Sequence, residues 1–139
     1  MSGPPAVDVV VGLIGDACGR WLVNCRPLGT PLAGSWEFPG GKRRAGEAPL
    51  AALKRELDEE LGIEVLDAAP VLTLVHDYPD KRIQLDVWHV RRYAGQVTAR
   101  DGQPLRWVTV AECRELELLE ADWPIVERLP LLAAVSARG

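Results

Sequence analysis

The sequence predicts an α/β protein of one domain, and three observations carry that expectation. β-rich runs occupy both halves of the chain, one amphipathic helix stands between them, and a second helix closes the chain. Strands mixed with helices at those two places ask for a sheet covered on both faces. At 139 residues the chain can bury one core and has little room for another, so residues 1–139 are read as a single unit.

Val7 to Ile14 and Arg20 to Cys25 are apolar, β-rich runs separated by Gly15-Asp16-Ala17-Cys18-Gly19, a hairpin pattern. A long loop through Pro27, Gly29, Pro31 and Gly34 follows. Trp36-Glu37-Phe38-Pro39-Gly40-Gly41-Lys42 then reads as a short apolar strand entering a Pro-Gly-Gly loop, where glycines let the backbone come close to a ligand. Pro49 and Gly62 bracket a helix from about Ala48 to Leu61, with proline in the first turn and glycine just past the last. Val71 to Asp77 and Arg82 to Val90 flank Tyr78-Pro79-Asp80-Lys81 as a second strand pair, and Leu105 to Val108 gives a short strand. Thr109 can cap a brief helix over Val110 to Arg114. Pro124 opens a final helix whose apolar side is Ile125, Val126, Leu129 and Leu132, and Pro130 is expected to kink it.

The central helix separates packing from chemistry. At about 100° per residue, Leu50, Leu53, Leu57 and Leu61 share one stripe, while Glu56, Glu59 and Glu60 gather on the adjacent face. An acidic helix face is usually a solvated surface, but here like charges three and four residues apart repel by about 0.2–0.5 kcal/mol per pair. They also sit in the last turn, where the helix dipole disfavours anions. Such a convergence makes sense around a hard divalent cation, because magnesium takes oxygen ligands and completes its shell with water and phosphate.

From Gly41 to Ile63 the chain reads GKRRAGEAPLAALKRELDEELGI. Gly41, Glu47, Arg55, Glu56, Glu59, Glu60 and Gly62, with Leu57 and Ile63 at the aliphatic places, fill every position of the box Gx5Ex7REUxEExGU. This segment resembles the Nudix box, and the likeness extends over roughly Val7 to Val135. The resemblance implies an α/β/α sandwich with a mixed β-sheet between helices. It also implies a magnesium-dependent hydrolase, with manganese as an alternative ion, that attacks a nucleotide at the β-phosphorus. The metal ligands implied are the Gly40 carbonyl, Glu56, Glu59, Glu60 and Asp101. Arg55 would orient a glutamate by ion pairing, Glu47 would lie near the metal site, and Glu56 and Asp101 are both candidates for the general base.

Substrate-side likenesses point to the MutT branch of that family. WEFPGGK resembles the entry to the box in those enzymes, with Lys42 near phosphate and Phe38 in the base pocket. Arg26 lies eleven residues before Glu37, as a nucleotide-contacting arginine does there; read alone it is a cation at a strand end. His76-Asp77-Tyr78-Pro79-Asp80-Lys81 puts Tyr78 near the base pocket or in the core. Asp101-Gly102-Gln103-Pro104 resembles a loop with an additional glutamate ligand, here shortened to aspartate, although Asp-Gly is also a common turn. Asp122 stands where MutT has a base-reading asparagine. An ionised aspartate only accepts hydrogen bonds, which favours guanine N1–H and N2–H₂ or cytosine N4–H₂. Its other reading is an acid at a helix N-terminus. The expected substrate is thus 8-oxo-dGTP or a modified (d)CTP, in a pool-cleaning, DNA-repair setting or another pathway. Hydrolysis of ADP-ribose or NADH and a non-catalytic nucleotide-binding module are the alternatives.

Composition narrows the partners. A net charge of −4 offers no general attraction to a nucleic acid polymer, so an anionic substrate must be held by local cations and metal. Cys18, Cys25 and Cys113 are odd in number and lack metal-ligand spacing, which favours free thiols in a reducing compartment. His76 and His89 are too isolated to form a metal cluster. The longest apolar opening, Val9 to Ile14, is too short for a membrane span and no basic leader precedes it. The expectation is a cytoplasmic monomer or homodimer acting on a small nucleotide. Trp21, Trp88 and Trp107 are expected in the core or on the sheet, with Trp36 and Trp123 beside the pocket.

Overall fold

The computed structural model describes residues 6–136, with side chains to Leu132. It contains strands β1 (Ala6–Ile14), β2 (Trp21–Cys25), β3 (Trp36–Glu37) and β4 (Gly40–Lys42), then helix α1 (Pro49–Leu61). Strands β5 (Glu64–Tyr78), β6 (Lys81–Ala94) and β7 (Leu105–Val108) follow. Helices α2 (Val110–Cys113), α3 (Trp123–Val126) and α4 (Leu129–Ser136) close the described chain, with a 3-10 turn over Glu120–Asp122 before α3.

Two sheets form. The larger has the order β4-β1-β6-β5, with β1 parallel to β6 and the outer strands antiparallel to their neighbours, so it is mixed. The smaller, β3-β2-β7, is antiparallel throughout. Alternation along the strands sends side chains to opposite faces. On β1, Val10 and Ile14 join Leu22, Leu53, Leu57, Leu61 and Ile63 under α1, while Val11 and Leu13 join Trp21, Val23, Val87, Ile125 and Leu129 on the other side. Helices therefore cover both faces, the α/β/α sandwich expected. A methyl on Gly12 would meet Leu57 Cδ1 at 2.9 Å, so α1 seats directly on the middle of β1.

Helix α1 starts and stops as expected. Pro49 lies in its first turn, and Gly62, at φ 69°, forms the C-cap with its N–H on Asp58 O at 3.0 Å. Thr109 caps α2 reciprocally: Glu112 N donates to Thr109 Oγ1 at 3.1 Å and Thr109 N to Glu112 Oε1 at 3.0 Å.

Three expectations need correction. The first two strands do not pair as a hairpin; they share one bridge, Gly15 with Trp21, and part into different sheets. β6 pairs along the whole of β1 on one edge and β4 takes Val9 to Val11 on the other, while β2 pairs with β3 and β7. Strand β5 begins at Glu64 rather than Val71, running through Asp67 and Pro70. It is an edge strand, and its register shifts around Asp67 and Pro70 accommodate residues that would break a central strand. The closing helix is divided rather than kinked. Pro130 has no N–H for the Val126 carbonyl, so α3 ends at Val126 and α4 starts afresh at Leu129.

Candidate active site

The acidic face of α1 meets the Gly40–Lys42 strand, and one arginine organises it. Arg55 donates from Nε to Glu47 Oε2 at 2.8 Å and from Nη2 to Glu47 Oε1 at 2.9 Å, a two-pronged pairing. Its Nη1 reaches Glu56 Oε1 at 3.0 Å and Glu59 Oε2 at 3.3 Å, and Nη2 also donates to the Lys42 carbonyl at 3.1 Å. Three carboxylates thus share one cation, which also ties the helix to the loop. Hydrogen bonds from Arg55 and from the Arg44 N–H, the latter at 3.0 Å, hold the Glu47 carboxyl down to about 2. Glu56 packs against the loop at Gly41, where a methyl would stand 2.7 Å from its Oε1. Glu59 is the outermost, with 51% of its side chain exposed.

Glu60 differs, because the largest influences on it are burial and neighbouring acids. Burial, and then the negative charges of Glu56, Glu37 and Asp101, push its carboxyl up to about 8, opposed by an N–H from Gly40. Asp101 arrives from a loop tied to the end of α1: its N–H donates to Gln103 Oε1 at 3.0 Å, and Gln103 Nε2 donates to the Glu60 carbonyl at 3.2 Å. Among the described residues no three His, Cys, Asp or Glu side chains close into a ready-made metal cluster. The donor chemistry nevertheless suits a hard divalent ion, since oxygen ligands crowd a place where burial and neighbouring carboxylates raise one acid.

A cavity of about 350 Å³ runs from this acidic end to an apolar one. Gly40, Gly41, Lys42, Glu60, Asp101 and Gln103 line the first end. Phe38, Tyr78, Leu119, Ala121 and Asp122 line the second, with Arg26 and Glu37 on the wall. Of the residues singled out from the sequence, Arg26, Phe38, Gly40, Lys42, Glu60, Tyr78, Asp101 and Asp122 meet in this cavity. Arg55, Glu56 and Glu59 are not on its wall; they stand on the adjoining helix face.

The apolar end is held by long-range contacts. Asp122, only 4% exposed, accepts a hydrogen bond on Oδ2 from Phe38 N at 3.1 Å. It stands at the N-cap of α3 but makes no side-chain hydrogen bond to that helix. Burial first, then the charge of Glu37, pushes its carboxyl up to about 8. Such a shift favours the neutral acid over the acceptor-only carboxylate considered from the sequence. The Tyr78 hydroxyl accepts from Ala121 N at 3.3 Å, which joins β5 to the turn that carries Asp122. Arg26 donates from Nη1 to Glu37 Oε2 at 3.2 Å and from Nε to Pro31 O at 2.7 Å, so its charge is spent largely on Glu37.

Glu37, Asn24, Gln103 and Lys81 line the cavity without a role assigned from the sequence. Glu37 is raised by burial in spite of Arg26, and Asn24 Nδ2 lies 3.5 Å from its Oε1. Gln103 anchors the Asp101 loop, and Lys81 enters the wall from the start of β6. A signal for Glu37 existed, an acid set between Trp36 and Phe38 in an apolar strand. Trp36 and Trp123 are not on the cavity wall; Trp36 lies under the Arg106 guanidinium, 5.5 Å away, and Trp123 is exposed. His76 pairs with Glu120 at 3.1 Å and His89 packs beside Trp21, as strand residues do. The three cysteines are free thiols, and no described helix is long and apolar enough to cross a membrane.

A NUDIX domain model matches residues 10–128. The 8-oxo-dGTP diphosphatase of Proteus vulgaris is 38% identical over 102 residues, covering 73% of this chain and 91% of that protein. The CTP pyrophosphohydrolase of Escherichia coli K12 is 36% identical over 128 residues, covering 92% and 94%. Among solved structures, that of the E. coli ORF135 protein superposes with a TM-score of 0.80 at 34% identity, covering 95% of this chain and 94% of that one.

Proposed function

The chain belongs to the NUDIX domain family, and from that premise we propose that it is a hydrolase of phosphoric anhydrides that converts a nucleoside triphosphate to the monophosphate and pyrophosphate. The substrate class is a modified nucleotide, either 8-oxo-dGTP or a (d)CTP derivative, in keeping with the names of its relatives. One observation carries the reading: a single cavity joins an acidic end at Glu60 and Asp101 to an apolar end at Phe38, Tyr78 and Asp122. A polyphosphate suits the first end, once a metal is present, and a flat base suits the second.

The family uses divalent metal ions, and the Gly40 carbonyl, Glu56, Glu59, Glu60 and Asp101 are the residues that would hold magnesium or manganese here. Such an ion, when bound, neutralises phosphate charge and lowers the pKa of a water. Arg55 keeps Glu56 oriented toward the loop and Glu47 fixes Arg55, so the pair positions the carboxylate rather than touching substrate. Glu56 and Asp101 are the candidates to accept the proton of the attacking water. Lys42 and Arg26 bring positive charge to the cavity for phosphate or sugar, and Phe38 and Tyr78 present apolar faces to the base.

The test is pyrophosphate release from 8-oxo-dGTP, dGTP, 5-methyl-dCTP, CTP and ADP-ribose with magnesium, alongside a Glu59→Gln control. Triphosphates should yield pyrophosphate and monophosphate well above the control. Turnover confined to ADP-ribose, or none above the control, overturns the reading.

A further inference from the structure

Two acids face the base end of the cavity, and the structure treats them unequally. Glu37 has Arg26 at 3.2 Å and Asn24 at 3.5 Å. Asp122 is more deeply buried, and among the described residues its carboxyl receives one neutral hydrogen bond, Phe38 N to Oδ2. The other groups facing it are Glu37 from β3, Arg26 after β2 and the Tyr78 hydroxyl from β5. Glu120 is its neighbour in the turn, and Lys81 of β6 lies on the same wall. Arg26 is hydrogen-bonded to Glu37 and Pro31, and its charge offsets that of Asp122 less than burial and the neighbouring Glu37 charge oppose it. The less supported acid is the one that keeps its proton.

We infer that Asp122 meets the base as a neutral carboxyl group, that its proton is what admits a cytosine-type base, and that losing the proton leaves a pocket for a guanine-type base alone. This deepens the triphosphate reading and rests on it. With Oδ2 accepting from Phe38, the proton belongs on Oδ1, and the group then offers a donor and an acceptor together. Cytosine presents N3, an acceptor, beside the N4 amino group, a donor, and matches the neutral acid at two points. Against a carboxylate its N3 lone pair faces a second lone pair. Guanine has O6 beside N1–H and N1–H beside the N2 amino group, so it can meet either form. Burial and the Glu37 charge put the transition at about 8, within reach of ordinary assay buffers.

The experiment is the ratio of kcat/KM for CTP to that for GTP between pH 6.5 and 9 at saturating magnesium. Taking the ratio cancels any titration of the metal site, because both substrates share it. A group titrating at about 8 falls from about nine-tenths neutral at pH 7 to about one-tenth at pH 9, so the ratio should drop about tenfold. Asp122→Asn carries a donor and an acceptor at every pH and should abolish the drop. Glu37→Gln removes the neighbouring charge and should move the drop to lower pH. A flat wild-type ratio, or a drop that survives in Asp122→Asn, overturns the inference. If no nucleotide is hydrolysed the triphosphate reading fails by itself. Metal-free binding of CMP and GMP over the same pH range then decides the inference: CMP affinity that does not weaken relative to GMP refutes it, and a tenfold relative loss supports it.

Discussion

Replacing Gly41 by alanine separates the position of Glu56 from the stability of the fold. The added methyl would stand 2.7 Å from Glu56 Oε1, and closer still to Cδ and Oε2, where ordinary contact begins at 3.4 Å. The carboxyl group must therefore retreat by about 1 Å, and its 3.0 Å bond to Arg55 Nη1 is lost or remade. A catalytic group displaced by about 1 Å costs on the order of 10²-fold in rate. The clash falls on the free end of a flexible side chain, and no core packing is lost, so the stability cost should stay within about 1 kcal/mol. Steady-state pyrophosphate release measures the first effect and thermal unfolding the second. The expected result is a fall of about 10²-fold in kcat/KM with Tm nearly unchanged. Wild-type kcat/KM in Gly41→Ala would refute the premise that the loop fixes Glu56 for chemistry. A Tm lowered in step with activity would instead make the effect one of folding.

Two further outcomes follow from the same geometry. Leu57→Ala empties a fully buried site where α1 seats on β1 and should cost about 2–5 kcal/mol, read from urea unfolding; a loss under about 1 kcal/mol would mean the helix collapses onto the strand. Glu60, raised to about 8 from 4.5, holds its proton longer when folded, so without metal its ionisation opposes folding and stability declines as pH rises between those values. Metal must displace that proton, so calorimetric affinity for magnesium should rise from pH 6.5 to about 8 and level off above it. Glu60→Gln should flatten the metal trend and lessen the stability trend, to which Asp122, also raised to about 8, still contributes; an affinity independent of pH in the wild type would count against Glu60 as a ligand.

The central helix was legible almost to the residue, because its limits are set locally. Pro49 fits only a first turn, Gly62 takes a left-handed C-cap, and the leucine stripe has helical period. The capping box at Thr109 was legible in part, through its Ser/Thr-type cap, for the same reason. Strand pairing was not. Gly15 to Gly19 looks like a hairpin turn, yet whether β1 pairs with β2 depends on which strands occupy the two edges of β1, and those come from residues 40–42 and 81–94. The strand expected from Val71 runs back through Pro70 because β5 lies on an edge, a fact of sheet order.

The site divides along the same line. By itself the sequence determined the acidic box, its placement on one face of α1 and the family to which that spacing belongs, since these depend on helical period over a short segment. Only the tertiary structure decided that Arg55 serves three carboxylates, that Glu37 faces the cavity, and that Asp122 lies 84 residues from the N–H that binds it. The protonation state of an acid depends on burial and on neighbouring charge, and both are supplied by segments far away in the chain. Burial and the Glu37 charge thus raise the carboxyl of Asp122, an effect that its place in the sequence does not announce.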